Sequence, residues 1–207
     1  MYQKGERRRE EILRATLRLI GLRGADAVTH RAVAAEAGVP LSATTYYFAS
    51  KDHLLEQALL LAAREETERL ERLVLELSSS SLSPAGWAAA VAAQISADVD
   101  EDPGKHVTLF ELALEATRTE VLRSDVREWQ AAHLRLAETA CRAVGSPEPE
   151  LDARIVVAAL TGLMLEQLAS GQESFGEEVM GPALERLFAR RAGEPARSPA
   201  AAGAPAV

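Results

Sequence analysis

Between Thr29 and Lys51 the chain reads THRAVAAEAGVPLSATTYYFASK: an amphipathic segment, a turn through Ala37, Gly38 and Val39, then a polar run closing on Tyr46, Tyr47 and Phe48. That order predicts a helix-turn-helix. Thr29 offers a side-chain oxygen to cap a helix on which Ala32, Val33, Ala34 and Ala37 form one narrow apolar face. Small residues there let a second helix cross closely, and Gly38 suits the positive φ that a helix end favours. Pro40, Leu41 and Ser42 restart the chain as a helix, with Pro40 in a first-turn position where its missing N–H costs little. The second helix, about Ser42 to Phe48, is short and rich in Thr and Tyr. Such side chains suit phosphate oxygens and thymine methyls in a major groove.

The charge distribution agrees. The net charge is −8, which alone argues against a polyanionic partner, yet residues 1–51 hold nine Lys and Arg against five Asp and Glu. Basic charge is concentrated around the helix-turn-helix, and the acidic remainder should repel DNA. Arg7, Arg8 and Arg9 form either a basic arm that reaches phosphates or a minor groove, or only the solvated start of a helix.

At 207 residues, with 47% apolar content, the chain is long enough for one large domain or two small ones with a genuine core. Ala and Leu dominate and only four Phe are present, which favours helices over sheets. No run of 18 apolar residues stands out, and MYQKGERRREE carries no hydrophobic segment after its charges, so a cytoplasmic protein without membrane association is expected. The single cysteine, Cys141, excludes an internal disulfide and any cysteine-based zinc site.

Helical periodicity covers nearly all of the chain. A first helix runs from Arg7 to Leu22 and ends at a Gly24 turn. After the helix-turn-helix, Ser50 and Asp52 open a fourth carrying Leu54, Leu55, Ala58, Leu61 and Ala62, which ends at Ser78 to Ser81. A fifth starts at Pro84, bears Trp87, Val91, Ile95 and Val99, and ends in an acidic cluster before Pro103-Gly104 interrupts the chain. A sixth, nearly all-round apolar, begins at Val107. A seventh spans Ser124 to Val144 and an eighth Leu151 to Ser170. The ninth runs from about Phe175 to Arg191, with Pro182 either a kink or its true start. The Pro- and Ala-rich tail after Gly193 should be disordered. The fold class is therefore all-α with about nine helices: residues 1–50 a helix-turn-helix domain, 51–192 a larger helical domain, 193–207 the tail.

The set comprising the long first helix, the Gly24 turn, Val28-Thr29, Ala34-x-x-Ala37-Gly38-Val39, Tyr47-Phe48 and Ser50-Lys51 resembles the TetR family of bacterial transcriptional regulators. At motif level the resemblance covers about the first quarter of the chain. It implies a double-stranded DNA operator as partner, read by a homodimer that works mostly as a repressor, and a second domain that binds a small hydrophobic or cationic effector. No cofactor and no metal is implied. Thr29, Tyr47 and Lys51 match family positions that touch phosphates. Ser42, Ala43, Thr44 and Tyr46 are the candidates for base edges, with His30, Arg31 and Thr45 beside them. Thr44 and Thr45 stand where the family usually has Leu and Tyr. Tyr46 then either touches the phosphate that the shorter Thr45 does not reach, or reads a base edge.

Polar or aromatic groups within otherwise apolar helices are the candidate effector ligands: Trp87, Gln94, Phe110, Glu111, Glu115, Trp129, His133, Met164 and Gln167. A carboxylate among them would favour a cation, whereas plain core packing of both Trp, and pairing of Glu115 with Arg118, are the competing readings. For the dimer, Ala158, Thr161, Gly162 and Leu165 form a small-residue stripe on the eighth helix. Met180, Leu184, Leu187 and Phe188 form an apolar stripe on the ninth, so that four helices from two chains would bury one core.

Two other functions compete with this one. An enzyme finds no support: His30, His53, His106 and His133 lack metal-ligand spacing, no Gly-rich phosphate loop is present, and Cys141 and His133 on one helix lack an orienting third group. A helical protein–protein interaction module would need a broad apolar face on the second short helix, which Ser42, Thr44, Thr45 and Tyr46 leave little room for.

Overall fold

The computed structural model describes residues 2–79, 82, 83, 86, 89–91, 93, 94, 97, 98 and 102–189. Among them all regular structure is helical. Helix α1 spans Tyr2–Arg23, followed by a 3₁₀ turn, Ala25–Ala27, then α2 (His30–Glu36), α3 (Leu41–Tyr47) and α4 (Lys51–Ser78). On the stretch read as the fifth helix, the described residues 86, 89–91, 93, 94, 97 and 98 are helical; Trp87, Ile95 and Val99 lie outside the described residues, as does the tail after Gly193. Then come α5 (Pro103–Glu115), a 3₁₀ turn at Glu120–Leu122, α6 (Arg123–Ala143), α7 (Pro149–Ser170), a π turn at Gly176–Met180 and α8 (Gly181–Ala189).

Two prolines, Pro103 and Pro40, correct the sequence reading, and Pro182 falls on one of its two alternatives. Pro103 does not interrupt the chain but opens α5, because Asp102 caps that helix by accepting the Lys105 N–H at 3.1 Å, and a first-turn proline withholds only an N–H that has no helical partner. Pro182 sits one residue into α8 and marks a start, not a kink. Pro40 is the capping residue of α3 and precedes its first turn. The first helix also begins earlier than expected, which places Arg7 to Arg9 on a helix and not on an arm. Arg7 and Arg8 both pair with Glu11 there.

The helices enclose two cores. In the first, Ile12 and Ile20 of α1, Val28, Val33 of α2, Phe48, and Leu54 and Leu59 of α4 pack with Leu109 and Leu112 of α5 and with Leu122 and Val126. It is continuous from the N-terminal helices into the larger unit. The second joins Ala137, Ala140 and Cys141 of α6 to Ala153 and Val156 of α7 and to Met180, Leu184 and Phe188. At 28 residues α4 is about 42 Å long and runs beside both units.

Where α1 crosses α5 the backbones nearly touch. A Cβ on Gly21 would lie 2.6 Å from the Gly104 carbonyl oxygen, closer than any side chain tolerates, so only glycine permits the crossing. Thr108 sits at the same crossing, its hydroxyl donating to the Gly104 carbonyl at 2.9 Å.

Candidate functional site

The N-terminal unit presents α3 as the sequence predicts. Thr29 Oγ1 accepts the Ala32 N–H at 3.1 Å, capping α2. Gly38 turns the chain at φ +64°, where a side chain would be strained. Phe48, 1% exposed, locks the end of α3 into the core, its ring edge-on to His53 and covered by the Arg9 guanidinium. That anchor fixes which side of α3 faces outward.

Ser42, Thr45 and Tyr46 are exposed, with Tyr46 at 81%. Thr29 and Arg31 are exposed on α2, while His30, Ala43, Tyr47 and Lys51 are half-buried. Thr44 requires a correction. It is fully buried, its hydroxyl donating to the Leu41 carbonyl at 2.8 Å, so it cannot reach a base edge. A polar residue occupies the place of the usual Leu because the helix satisfies its hydroxyl internally. Thr45 donates only weakly, to Ser42 at 3.3 Å, and Tyr46 is the most exposed of the large apolar or aromatic side chains on α3, ahead of Leu41 at its start. Tyr47 stacks edge-to-face beneath Tyr46, ring centroids 5.0 Å apart. Lys51 Nζ donates to the Asp26 carbonyl at 3.3 Å, tying the start of α4 to the turn before α2 and keeping its charge beside α2 and α3.

Much of the basic surplus read from the sequence is neutralised locally. Arg14 pairs with Glu10 and Glu65, and Arg18 with Glu36. Arg23 and Arg31 are exposed without an ion pair among the described residues.

The larger unit contains a cavity of about 360 Å³ between the two cores, within the usual range for small-molecule sites. Of the effector candidates, Gln94, Phe110, Trp129, His133 and Met164 line it. Glu111 does not: its Oε1 points toward Gly24, 3.7 Å from where a Cβ there would stand. Glu115 does not either, since it pairs with Arg118 and accepts from the Thr119 hydroxyl at 2.8 Å. Gln167 lies beyond the wall and donates to the Gln172 carbonyl at 3.0 Å, closing the end of α7. Trp87 is outside the described residues.

The carboxylates that do reach the cavity are Glu66, Asp98 and the exposed Glu76, which the sequence reading missed. Glu66, 3% exposed, accepts Arg69 at 2.5 Å and Lys105 of α5 at 2.8 Å, and Arg69 also holds Asp98 at 3.1 Å. Burial opposes the charge of Glu66, but Arg69 and Lys105 outweigh it and hold the carboxyl below its ordinary range. His106 and His133, also in the wall, are both held below the ordinary imidazole value, first by burial; Lys105 adds to this at His106, while at His133 the Trp129 carbonyl works the other way. A signal for Glu66 existed: it falls on the stripe Leu59, Ala63, Glu66, Leu70, Leu73, where helical spacing calls for an apolar residue. His106 likewise falls on a face with Leu109 and Phe110. Among the described residues, no three His, Cys, Asp or Glu side chains converge to hold a metal ion.

The dimer candidates divide. On α7, Ala158, Thr161, Gly162 and Leu165 are exposed, and Leu151 and Ile155 continue the same stripe. By length and mean hydropathy α7 also passes for a helix that could cross a membrane, although it holds no uninterrupted run of 18 apolar residues. Its opposite face is buried through Ala153, Val156 and Met164. Met180, Leu184 and Phe188 are each at most 2% exposed and Leu187 packs with them, so this stripe closes the core of one chain and is not free to meet another.

A helix-turn-helix anchored on one end of a long helix whose other end walls a cavity defines a one-component regulator. Residues 12–58 match the family of bacterial regulatory proteins of the tetR type, and 82–190 match the tetracyclin repressor-like C-terminal domain. The chain belongs to the TetR family of transcriptional regulators. It is 37% identical over 70 residues to the HTH-type transcriptional regulator PksA of Bacillus subtilis (strain 168), so the chain spans about a third, 34%, of that curated relative and the match takes in 34% of this chain. The multidrug binding protein EbrR, solved with ethidium, is 30% identical with a TM-score of 0.61, covering 87% of this chain and 98% of that one. A TetR-family member from Streptomyces coelicolor A3 is 31% identical with a TM-score of 0.65, covering 87% and 97%.

Proposed function

We propose that the protein is a repressor that holds a palindromic operator as a homodimer and lets it go when a small, largely apolar molecule fills the cavity. The observation that carries this reading is the shared helix. Leu54 and Leu59 of α4 are packed into the core that fixes α3, and Glu66, Leu70 and Leu73, further along the same helix, line the cavity. A ligand that displaces that wall moves the helix on which the DNA-reading unit is mounted, and two-fold operators tolerate little change in the spacing of two recognition helices, about 34 Å. The exposed stripe of α7 supplies the surface for a second copy, since a face of Leu, Ile, Ala and Gly is stabilised by covering it. The likeness to EbrR, solved with ethidium, supports a small-molecule effector. Such a regulator acts beside the chromosome, which places it in the cytoplasm.

Sequences selected from a random DNA pool by the full-length chain test the reading. We expect an enriched palindrome, dimeric protein in sedimentation, and loss of the dimer in Leu165→Glu. Tyr46→Ala should change the preferred sequence while leaving thermal stability within about 0.5 kcal/mol. Enrichment of a site without two-fold symmetry, or a monomer bound to it, would overturn the proposal.

A further inference from the structure

The cavity has a direction. Arg64 meets Asp125 and Glu71 meets Arg135, so α4 and α6 run the same way along it. On α6 the wall begins at Trp129 and His133 and continues through Leu136, Ala137 and Ala140, about 16 Å of helix. Glu66, Arg69 and His106 lie at the Trp129 end. Toward the far end the wall is mostly apolar side chains of α7 and α8, among them Val156, Leu160, Leu184 and Phe188, with Thr161 and the exposed Glu76 also in the lining. An occupant must therefore be elongated, with one polar end.

What the polar end lacks is decided by its partners. Both carboxylates at this end are already matched: Glu66 with Arg69 and Lys105, Asp98 with Arg69 and with the Gln94 amide at 2.8 Å. At this end two acids face two bases, so a cationic group placed here would have to break a buried pair to gain a carboxylate of the described residues, while Glu76, further along α4, is exposed to water, where an ion pair contributes little. The unmet capacity is of another kind. Trp129 Nε1 and His106 Nε2 are buried in the wall with no hydrogen-bond partner among the described residues. An indole N–H only donates, so what it lacks is an acceptor. His133 Nδ1 must carry its proton, because it faces the Trp129 carbonyl at 3.1 Å and a carbonyl cannot donate.

We infer that the effector is an uncharged, elongated apolar molecule ending in a hydrogen-bond-accepting oxygen, which the Trp129 indole N–H receives while the tail lies along α6 toward α7 and α8. The inference rests on the cavity being the effector site, and it narrows that site from hydrophobic or cationic molecules to neutral acceptors. It sets the chain apart from what the EbrR structure with ethidium would suggest.

Three probes of equal tail length separate the possibilities: 2-undecanone, decanoate and nonyltrimethylammonium, the ketone below its solubility limit and the two ions below their micelle concentrations. Binding to the full-length protein is read by calorimetry, and DNA release by fluorescence anisotropy on the selected operator. The ketone should bind at least tenfold more tightly than either ion. Trp129→Phe, which keeps an aromatic ring and removes the N–H, should weaken the ketone about fivefold to tenfold and leave the ammonium unchanged. Tighter binding of the ammonium or the carboxylate, or ketone binding indifferent to Trp129→Phe, would overturn the inference and leave the effector site standing. Binding of the ketone without release of DNA would instead overturn the regulatory reading while the ligand class survives. No binding by any probe would overturn the inference.

Discussion

The two ends of α4 have the same helical spacing and opposite surroundings. Near its start, Leu54, Ala58 and Leu59 are wholly buried beside Val28 and Phe48. About three to five turns on, Leu70 and Leu73 face a hollow. The difference teaches what each end is for. Side chains on α3 read DNA by their position, so the core behind them is filled; an effector needs room, so the space behind Leu70 and Leu73 is left open. One helix carries both requirements.

Substitutions can break this contrast or sharpen it. The largest effect is expected at Phe48→Ala, which empties a filled core and should cost about 3–5 kcal/mol. Leu73→Ala, which only widens an existing hollow, should cost distinctly less. Urea unfolding of the two variants compares them directly, and equal costs would show that the hollow is closed in solution. Next is Glu66→Gln, which keeps the shape but removes the negative charge that Arg69 and Lys105 share. We expect a loss of about 1–3 kcal/mol, with a smaller change if water reaches the pair freely.

The smallest effect is in pH dependence. His106 and His133 are held below the ordinary imidazole value mainly by burial, among Glu66, Asp98, Arg69 and Lys105. As pH falls through about 6.5 the unfolded chain takes up these protons first, so their contribution is complete above that value and declines below it. The melting temperature should therefore drop between about pH 7.5 and pH 5.5, and the double substitution His106→Gln with His133→Gln should flatten the drop. An unchanged slope would show that neither imidazole is held neutral. Glu66 acts in a separate window, its share being lost only at pH values below the ordinary carboxylate range.

Legibility differed in the same way between the two units. The helix-turn-helix could be read because its logic is local: Thr29 caps within three residues, Gly38 turns within two, and Phe48 anchors the helix it ends. Even there Thr44 misled, since its polarity suggested an outward side chain and its hydroxyl is satisfied within α3. In the larger unit Phe110, Trp129, His133 and Met164 were found from their chemistry alone, because aromatic and sulfur side chains on apolar helices have few other places to be. Glu111 and Glu115 were misplaced for want of a helix phase relative to neighbours. Met180, Leu184 and Phe188 could not be assigned to one chain's core or a second copy until α6 and α7 were seen to cover them.

By itself the sequence determined an all-helical chain, a DNA-reading turn between Thr29 and Lys51, and a concentration of basic charge around it. These follow from periodicity, capping and composition, which act over a few residues. Only the tertiary structure decided that Tyr46 and not Thr44 faces outward, that Gly21 and Gly104 let α1 lie against α5, and that Glu66 and Asp98 reach the cavity already paired. Those outcomes depend on which helix faces meet, and that is settled by packing among residues far apart in the chain.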